Sequence, residues 1–148
     1  MKNTISSLSF TGLTGSQTEE RKKCLLDQTE LFVIDMDGTF YCGEKMIDGA
    51  LDFLKAVVKR GKQFLFFTNN TSRAPEEYIE KLHRMGCDIS RSQIMTAGDV
   101  TIRYLKTYYG DQRVYLMGTP QLERQFADAG IRLSEDDAEI VMTAFDMT

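Results

Sequence analysis

The stretch ELFVIDMDGTFYCG, residues 30–43, sets five mostly apolar residues ahead of two aspartates separated by one methionine, with a Gly-Thr pair close behind. An apolar run of this length reads as a strand buried on both faces, and such strands belong to parallel sheets with helices on each side. Asp35 and Asp37 then stand at its carboxyl end, the edge of an open α/β sheet where ligands bind.

The same alternation continues outward from this strand. DGALDFLKAVVKRG carries Leu51, Leu54 and Val58, with Phe53 and Val57, on a helical face, with Asp48 as its N-cap and Gly61 as its stop. QFLFF is a second buried strand that runs into the polar loop TNNTSRAP, where Pro75 opens the next helix. PEEYIEKLHRMG follows with Tyr78, Leu82 and Met85 at helical spacing, and Gly86 ends it. SQIMTAG, DVTIRYLKTYYG, RVYLMG, TPQLERQFADAG and AEIVMTAF repeat the rhythm. Strands alternating with helices predict an α/β fold, a Rossmann-like, mostly parallel sheet with helices on both faces. Residues 1–29 are polar and aperiodic, an N-terminal extension with helical character around EERKKCLL.

A chain of 148 residues with 42% hydrophobic and 27% charged residues has the make-up of a soluble globular domain. Its net charge of -4 argues against nucleic acid or an anionic membrane as the main partner, because no basic stripe supplies the phosphate contacts. Three cysteines, Cys24, Cys42 and Cys87, lie far apart without Cys-x-x-Cys spacing, so neither a disulfide framework nor a zinc site is indicated. The N-terminus lacks the apolar core of a signal peptide, and no run approaches the roughly 20 apolar residues of a membrane span. A cytoplasmic protein is the expectation.

Two carboxylates this close repel when both are ionised unless a cation or a proton sits between them. Mg²⁺ with waters and a substrate phosphate suits such oxygen donors, leaving one Asp as nucleophile and the other as general acid and base. The pair alone also fits a helix cap or a calcium loop. A second strand ending in Thr68-Asn69-Asn70 favours catalysis, since an adjacent parallel strand would bring Thr68 beside Asp35, where its hydroxyl and the next N–H can hold a phosphoryl oxygen.

DMDGT at 35–39 and TNN at 68–70, with their flanks YCGEKMIDGALDFL, TNNTSRAPEEYIEKLHRMG and MTAFDMT, resemble the first two motifs of haloacid dehalogenase-like (HAD) hydrolases, in the subgroup of NagD-like and p-nitrophenyl phosphatases. The resemblance implies Mg²⁺-dependent hydrolysis of a small phosphate monoester. Asp35 would become an aspartyl-phosphate, and Asp37 would protonate the leaving alkoxide and then activate water. Asp35's side chain and Asp37's backbone carbonyl would be the metal ligands, and Thr68, Asn69 and the loop N–H groups around Gly38 would bind the phosphoryl group. The family's third-motif Lys and fourth-motif Gly-Asp have no counterpart here, and Lys55, Lys59 and Lys62 do not match the former. The resemblance thus implies the first core segment over 30–110 and the beginning of an inserted cap over 111–148. A chain of this extent is expected to be weakly active or inactive alone, with an open sheet edge that favours homo-oligomers. A non-catalytic fragment that binds phosphate ligands or a protein partner through the same edge is the alternative. A phospho-accepting receiver is disfavoured by DMDGT followed by TNN.

The remaining candidates have plainer readings. His83 is expected on a helix surface, Cys42 as a half-buried thiol, the methionines as core filling, and Tyr104, Tyr108 and Tyr109 as core and boundary residues.

Overall fold

The computed structural model describes residues 14–144, and the chain falls into two units, Met1–Glu30 and Leu31–Thr148. Of the expected N-terminal extension, residues 1–13 lie outside the described residues, as do 145–148 at the end of the MTAFDMT flank. The first unit contributes one helix, α1 (Gly15–Gln28), none of whose residues is buried. Its opening turn is tied by the Thr14 N–H donating to Gln17 Oε1 at 3.1 Å.

The second unit opens with β1 (Leu31–Asp35), followed by a short antiparallel hairpin, β2 (Tyr41–Cys42) and β3 (Lys45–Met46). Then come α2 (Ala50–Lys59), β4 (Gln63–Thr68), α3 (Pro75–Arg84), β5 (Ile94–Thr96) and α4 (Ala97–Tyr108). The three longer strands form a parallel sheet in the order β1-β4-β5, flanked by helices. Parallel pairing requires a crossover between neighbours, and α2 and α3 provide them. The chain continues with β6 (Val114–Met117), α5 (Pro120–Asp128) and β7 (Ile140–Thr143), where β6 and β7 pair in parallel as a separate two-stranded sheet.

Helix ends follow local chemistry. Pro75 occupies the first turn of α3, where its missing N–H leaves no bond unmade, and Gly86 just past the helix takes φ +82°, a left-handed conformation that side chains resist. The start of α2 differs from expectation: Gly49, at φ +83°, is the N-cap rather than Asp48. Left-handed backbone at that position favours a glycine over an aspartate cap.

The main core gathers Met36, Phe40 and Tyr41 from the first loop, Leu54 and Val57 from α2, Phe64 and Phe66 from β4, Tyr78 and Leu82 from α3, and Ile94 from β5. Phe66 is fully buried and meets Phe40 edge-on at a centroid distance of 4.7 Å, a favoured aromatic geometry. A second cluster, around Leu105, Val114, Leu116, Leu122 and Phe126, joins α4 to the β6–α5–β7 segment. Polar contacts reinforce that junction: Asp99 at the start of α4 accepts from Arg91 at 2.6 Å and from Gln125 of α5 at 2.9 Å.

Burial corrects several expectations. β1 is not buried on both faces, because it lies at the edge of the described sheet and Leu31 and Val33 are 48% and 62% exposed. On α2, Phe53 and Val58 are exposed because the inward arc is centred on Leu54 and Val57. Tyr104, Tyr108 and Tyr109 are also exposed, and they cover one another instead, with centroids 4.8 and 5.8 Å from that of Tyr104. Cys42 is exposed at the hairpin, whereas Cys87 is buried.

Candidate active site

The two aspartates sit where β1 gives way to a loop wound around one carbonyl. The Met36 carbonyl accepts from the Thr39, Phe40 and Tyr41 N–H groups at 3.3, 2.9 and 3.2 Å, and the Met36 side chain is fully buried beneath. Gly38 takes φ +82°, which reverses the chain there, and its N–H donates to the Tyr41 carbonyl at 2.7 Å. The loop is thereby closed on itself with Asp35, Asp37, Gly38 and Thr39 left exposed. Asp35 Oδ2 accepts from the Thr39 hydroxyl at 2.9 Å, a contact four residues ahead that motif spacing alone did not single out.

The second strand arrives one step out of the expected register. Asp35 pairs with Phe67, and Thr68 pairs with Thr96 of β5. Side chains alternate along a strand, so Asp35 and Thr68 leave opposite faces of the pleat and share only the carboxyl edge. Thr68 is 1% exposed, and its Oγ1 accepts the Asn70 N–H at 3.2 Å. Asn70 in turn folds the loop: its Oδ1 accepts from the Ser72 N–H at 3.0 Å and the Ser72 hydroxyl at 2.6 Å, and its carbonyl accepts from the Tyr78 hydroxyl at 3.2 Å. Asn69, between these anchored residues, is exposed.

A cleft of about 390 Å³ opens beside Asp37, and its walls include Tyr41, Asn70, Arg73, Tyr78 and Lys81. Lys81 is 5% exposed; its Nζ lies 4.0 Å from the centroid of the Tyr41 ring and 3.5 Å from Glu44 Oε1 on the hairpin turn. An ammonium over an aromatic face is attracted by the ring quadrupole. Among the described residues the buried Tyr41 hydroxyl makes no hydrogen bond of standard geometry. Burial, and then the negative charge of Asp37, hold that phenol far above its ordinary titration range. Tyr78 is pushed up to about 12, chiefly by burial. Lys81 did not stand out in the sequence, yet three residues after Tyr78 and one before Leu82 it falls on the inward face of α3.

His83 is exposed and contacts Asp88 through its Nδ1, away from the cleft lining. Among the described residues no group of three or more His, Cys, Asp or Glu side chains is arranged to hold a metal ion. No helix among them is long and apolar enough to cross a membrane.

Residues 32–132 match the model of the haloacid dehalogenase-like hydrolase family. The chain belongs to that family. Among curated relatives, the acid sugar phosphatase of Staphylococcus haemolyticus is 32% identical over 106 residues, covering 72% of this HAD-like chain and 40% of that protein. Among solved structures, 4-nitrophenylphosphatase from Thermotoga maritima superposes with a TM-score of 0.79 at 39% identity, covering 84% of this chain and 48% of that one. Glycerol phosphate phosphatase from Mycobacterium tuberculosis, crystallised with magnesium, gives 0.73 at 28% identity, over 84% of this chain and 38% of its own. This HAD-like chain therefore spans less than half the length of these relatives.

Proposed function

We propose that this chain carries the nucleophile-bearing part of a cytoplasmic Mg²⁺-dependent phosphatase acting on small phosphate monoesters. The observation that carries the reading is the exposed Asp35–Thr39 pair on a self-closed loop at the carboxyl edge of a parallel sheet, with Asp37 turned toward a cleft. Family relatives named as phosphatases support the reaction class. On this reading residues 30–110 are the first core segment and 111–148 the beginning of a cap.

The chemistry follows from the two carboxylates. One oxygen of Asp35 is fixed by Thr39, and the other attacks phosphorus as the bond to the leaving oxygen breaks. Asp37, entering protonated, gives its proton to that oxygen and releases an alcohol. The resulting aspartyl-phosphate is cleaved when water attacks phosphorus and passes a proton to Asp37. Inorganic phosphate departs and both groups return to their starting states. Asn69, exposed on the turn after β4, and the Thr68 hydroxyl at the shared carboxyl edge are the groups this reading assigns to the phosphoryl oxygens, while the Gly38 N–H, already donating to the Tyr41 carbonyl, shapes the loop that faces them.

The donor set suits a hard cation, since carboxylate and carbonyl oxygens with retained waters are the ligands Mg²⁺ takes. The Asp35 side chain and the Asp37 carbonyl would hold the ion, which when bound supplies positive charge against the phosphoryl oxygens. With two carboxylates at hand and no third acidic group beside them among the described residues, affinity for the ion is expected to be low. Turnover by these 148 residues alone is then expected far below the ordinary 1–10³ s⁻¹ or so.

The test is ¹⁹F NMR of the chain with Mg²⁺ and beryllofluoride, which mimics a phosphoryl group on a carboxylate. A bound resonance that disappears with Asp35→Asn and with EDTA is expected. A folded chain with no bound resonance, or one that Asp35→Asn leaves intact, would overturn the reading. Hydrolysis of p-nitrophenyl phosphate under the same controls measures the turnover.

A further inference from the structure

We propose that Tyr41 is the positioning residue of Asp37: its hydroxyl donates to one carboxylate oxygen and holds the other toward the leaving oxygen of the ester. The inference deepens the proposed reaction and rests on the role given there to Asp37. Tyr41 closes the first loop. An isolated β-bridge pairs it with Asp37, and its carbonyl takes the Gly38 N–H at 2.7 Å, so the backbone fixes the two residues beside each other across the turn. Both line the cleft of about 390 Å³. The ring cannot seek a partner elsewhere, because it is fully buried in the main core with Lys81 Nζ 4.0 Å from its centroid.

Among the described residues, Tyr41 Oη is the one buried side-chain oxygen or nitrogen left without a hydrogen bond of standard geometry. Buried polar groups are nearly always paired, so a lone orphan beside reacting groups marks a bond that the working state of the site completes. The cleft offers few acceptors for it. Lys81 and Arg73 can only donate. Asn70 Oδ1 already accepts twice from Ser72, the Tyr78 hydroxyl is spent on the Asn70 carbonyl, and Glu77 Oε1 takes the Ala74 N–H at the α3 cap. Asp37, by contrast, is exposed and adjoins Tyr41 across the bridge, and a carboxylate binds a hydroxyl more strongly than a neutral oxygen does. Burial and then the Asp37 charge keep the phenol protonated at neutral pH, so it enters as a donor. With one oxygen of Asp37 held in this way, the proton exchanged with the ester and then with water resides on the other, and Tyr41 keeps its own proton throughout. Thr39 already serves Asp35 in the same manner, so each aspartate of the motif has its hydroxyl four residues ahead.

The experiment is NMR of the full 148-residue chain, ¹³C-labelled in Asp and Tyr, with Mg²⁺ and beryllofluoride. In the unmutated chain the Tyr41 hydroxyl proton is expected in slow exchange, with a nuclear Overhauser contact to the Asp37 Hβ protons. Tyr41→Phe keeps the ring and its place beside Lys81. It is expected to abolish that contact and shift the Asp37 Cγ resonance, while the Asp35 Cγ resonance and the bound ¹⁹F signal stay in place. A merely structural ring would move none of these, or all of them together. Should Tyr41→Phe fail to fold, the hydroxyl contact in the unmutated chain decides alone. In a chain that takes up beryllofluoride, a hydroxyl proton that exchanges freely or contacts another residue instead, or an Asp37 Cγ resonance that Tyr41→Phe leaves unmoved, would overturn the positioning role and leave the phosphoryl site standing. Absence of uptake by the unmutated chain would overturn both.

Discussion

The Thr39 hydroxyl donates to Asp35 Oδ2 at 2.9 Å, so the first motif orients its own nucleophile through a residue four positions ahead. Removing the donor frees the carboxylate to rotate without disturbing the buried Met36 and Phe40 that anchor the loop. Thr39→Val is expected to weaken beryllofluoride uptake about tenfold or more, the scale of one hydrogen bond to a charged group, and Thr39→Ser to restore it. Because Thr39 is exposed, the urea midpoint should scarcely move.

Thr68 behaves differently, since its hydroxyl is a structural acceptor before it is anything else. Thr68→Val keeps the shape at a 1%-exposed position but strands the Asn70 N–H, at an expected cost of about 1–3 kcal/mol in urea unfolding. The Asn70 turn should loosen with it, seen as faster amide exchange at Ser72. A variant as stable as the parent would show that water replaces the hydroxyl.

The junction between α4 and α5 is tight at Gly98. A methyl added there would come within 2.9 Å of Gln125 Oε1 and 3.0 Å of Leu122 Cδ1. Alanine favours a helix by up to about 1 kcal/mol over glycine, and by less at Gly98, the second residue of α4, whereas overpacking at a buried site costs roughly 1–3 kcal/mol. Leu122 is 3% exposed and cannot withdraw freely, so Gly98→Ala is expected to be net destabilising and to break the Gln125–Asp99 bond. Adding Gln125→Ala should recover part of the loss, which a double-mutant cycle measures.

Stability should also decline in alkali. Burial, with the neighbouring Asp88 carboxylate adding to it, raises the Cys87 thiol from 9.0 to about 11. A group whose folded value is raised contributes stability that is intact below the unfolded value and lost as the pH climbs to the folded one. For Cys87 that window is pH 9 to 11, with at most about 3 kcal/mol at stake. Cys87→Ala should flatten the slope there. Tyr78, raised to about 12, extends the decline beyond it and is unaffected by that change.

Much of this was legible in the chain because hydrophobic period and strand-end chemistry are local. The strand at Leu31, the Pro75 start of α3 and the alternation through Thr143 follow from spacing alone. The α2 cap at Gly49 did not, because a left-handed φ is set by how the loop enters the helix and not by the aspartate beside it. Nor did the exposure of Val33, since an apolar run states that a strand resists water and not which strands adjoin it. The Lys81–Tyr41 contact was hidden most deeply, as the two residues lie on separate elements, and only their shared burial reveals them as neighbours.

The parallel pairing of β1 with β4 carries a kinetic consequence. Asp35 and the Thr68 turn are separated by the α2 crossover, and neither has a fixed place relative to the other until that long loop closes. Non-local closure of this kind slows folding, because chain entropy is lost before the contacts that reward it exist. Ligand competence should therefore return late in refolding, in the same phase as burial of Phe66, and after helical circular dichroism has begun to recover.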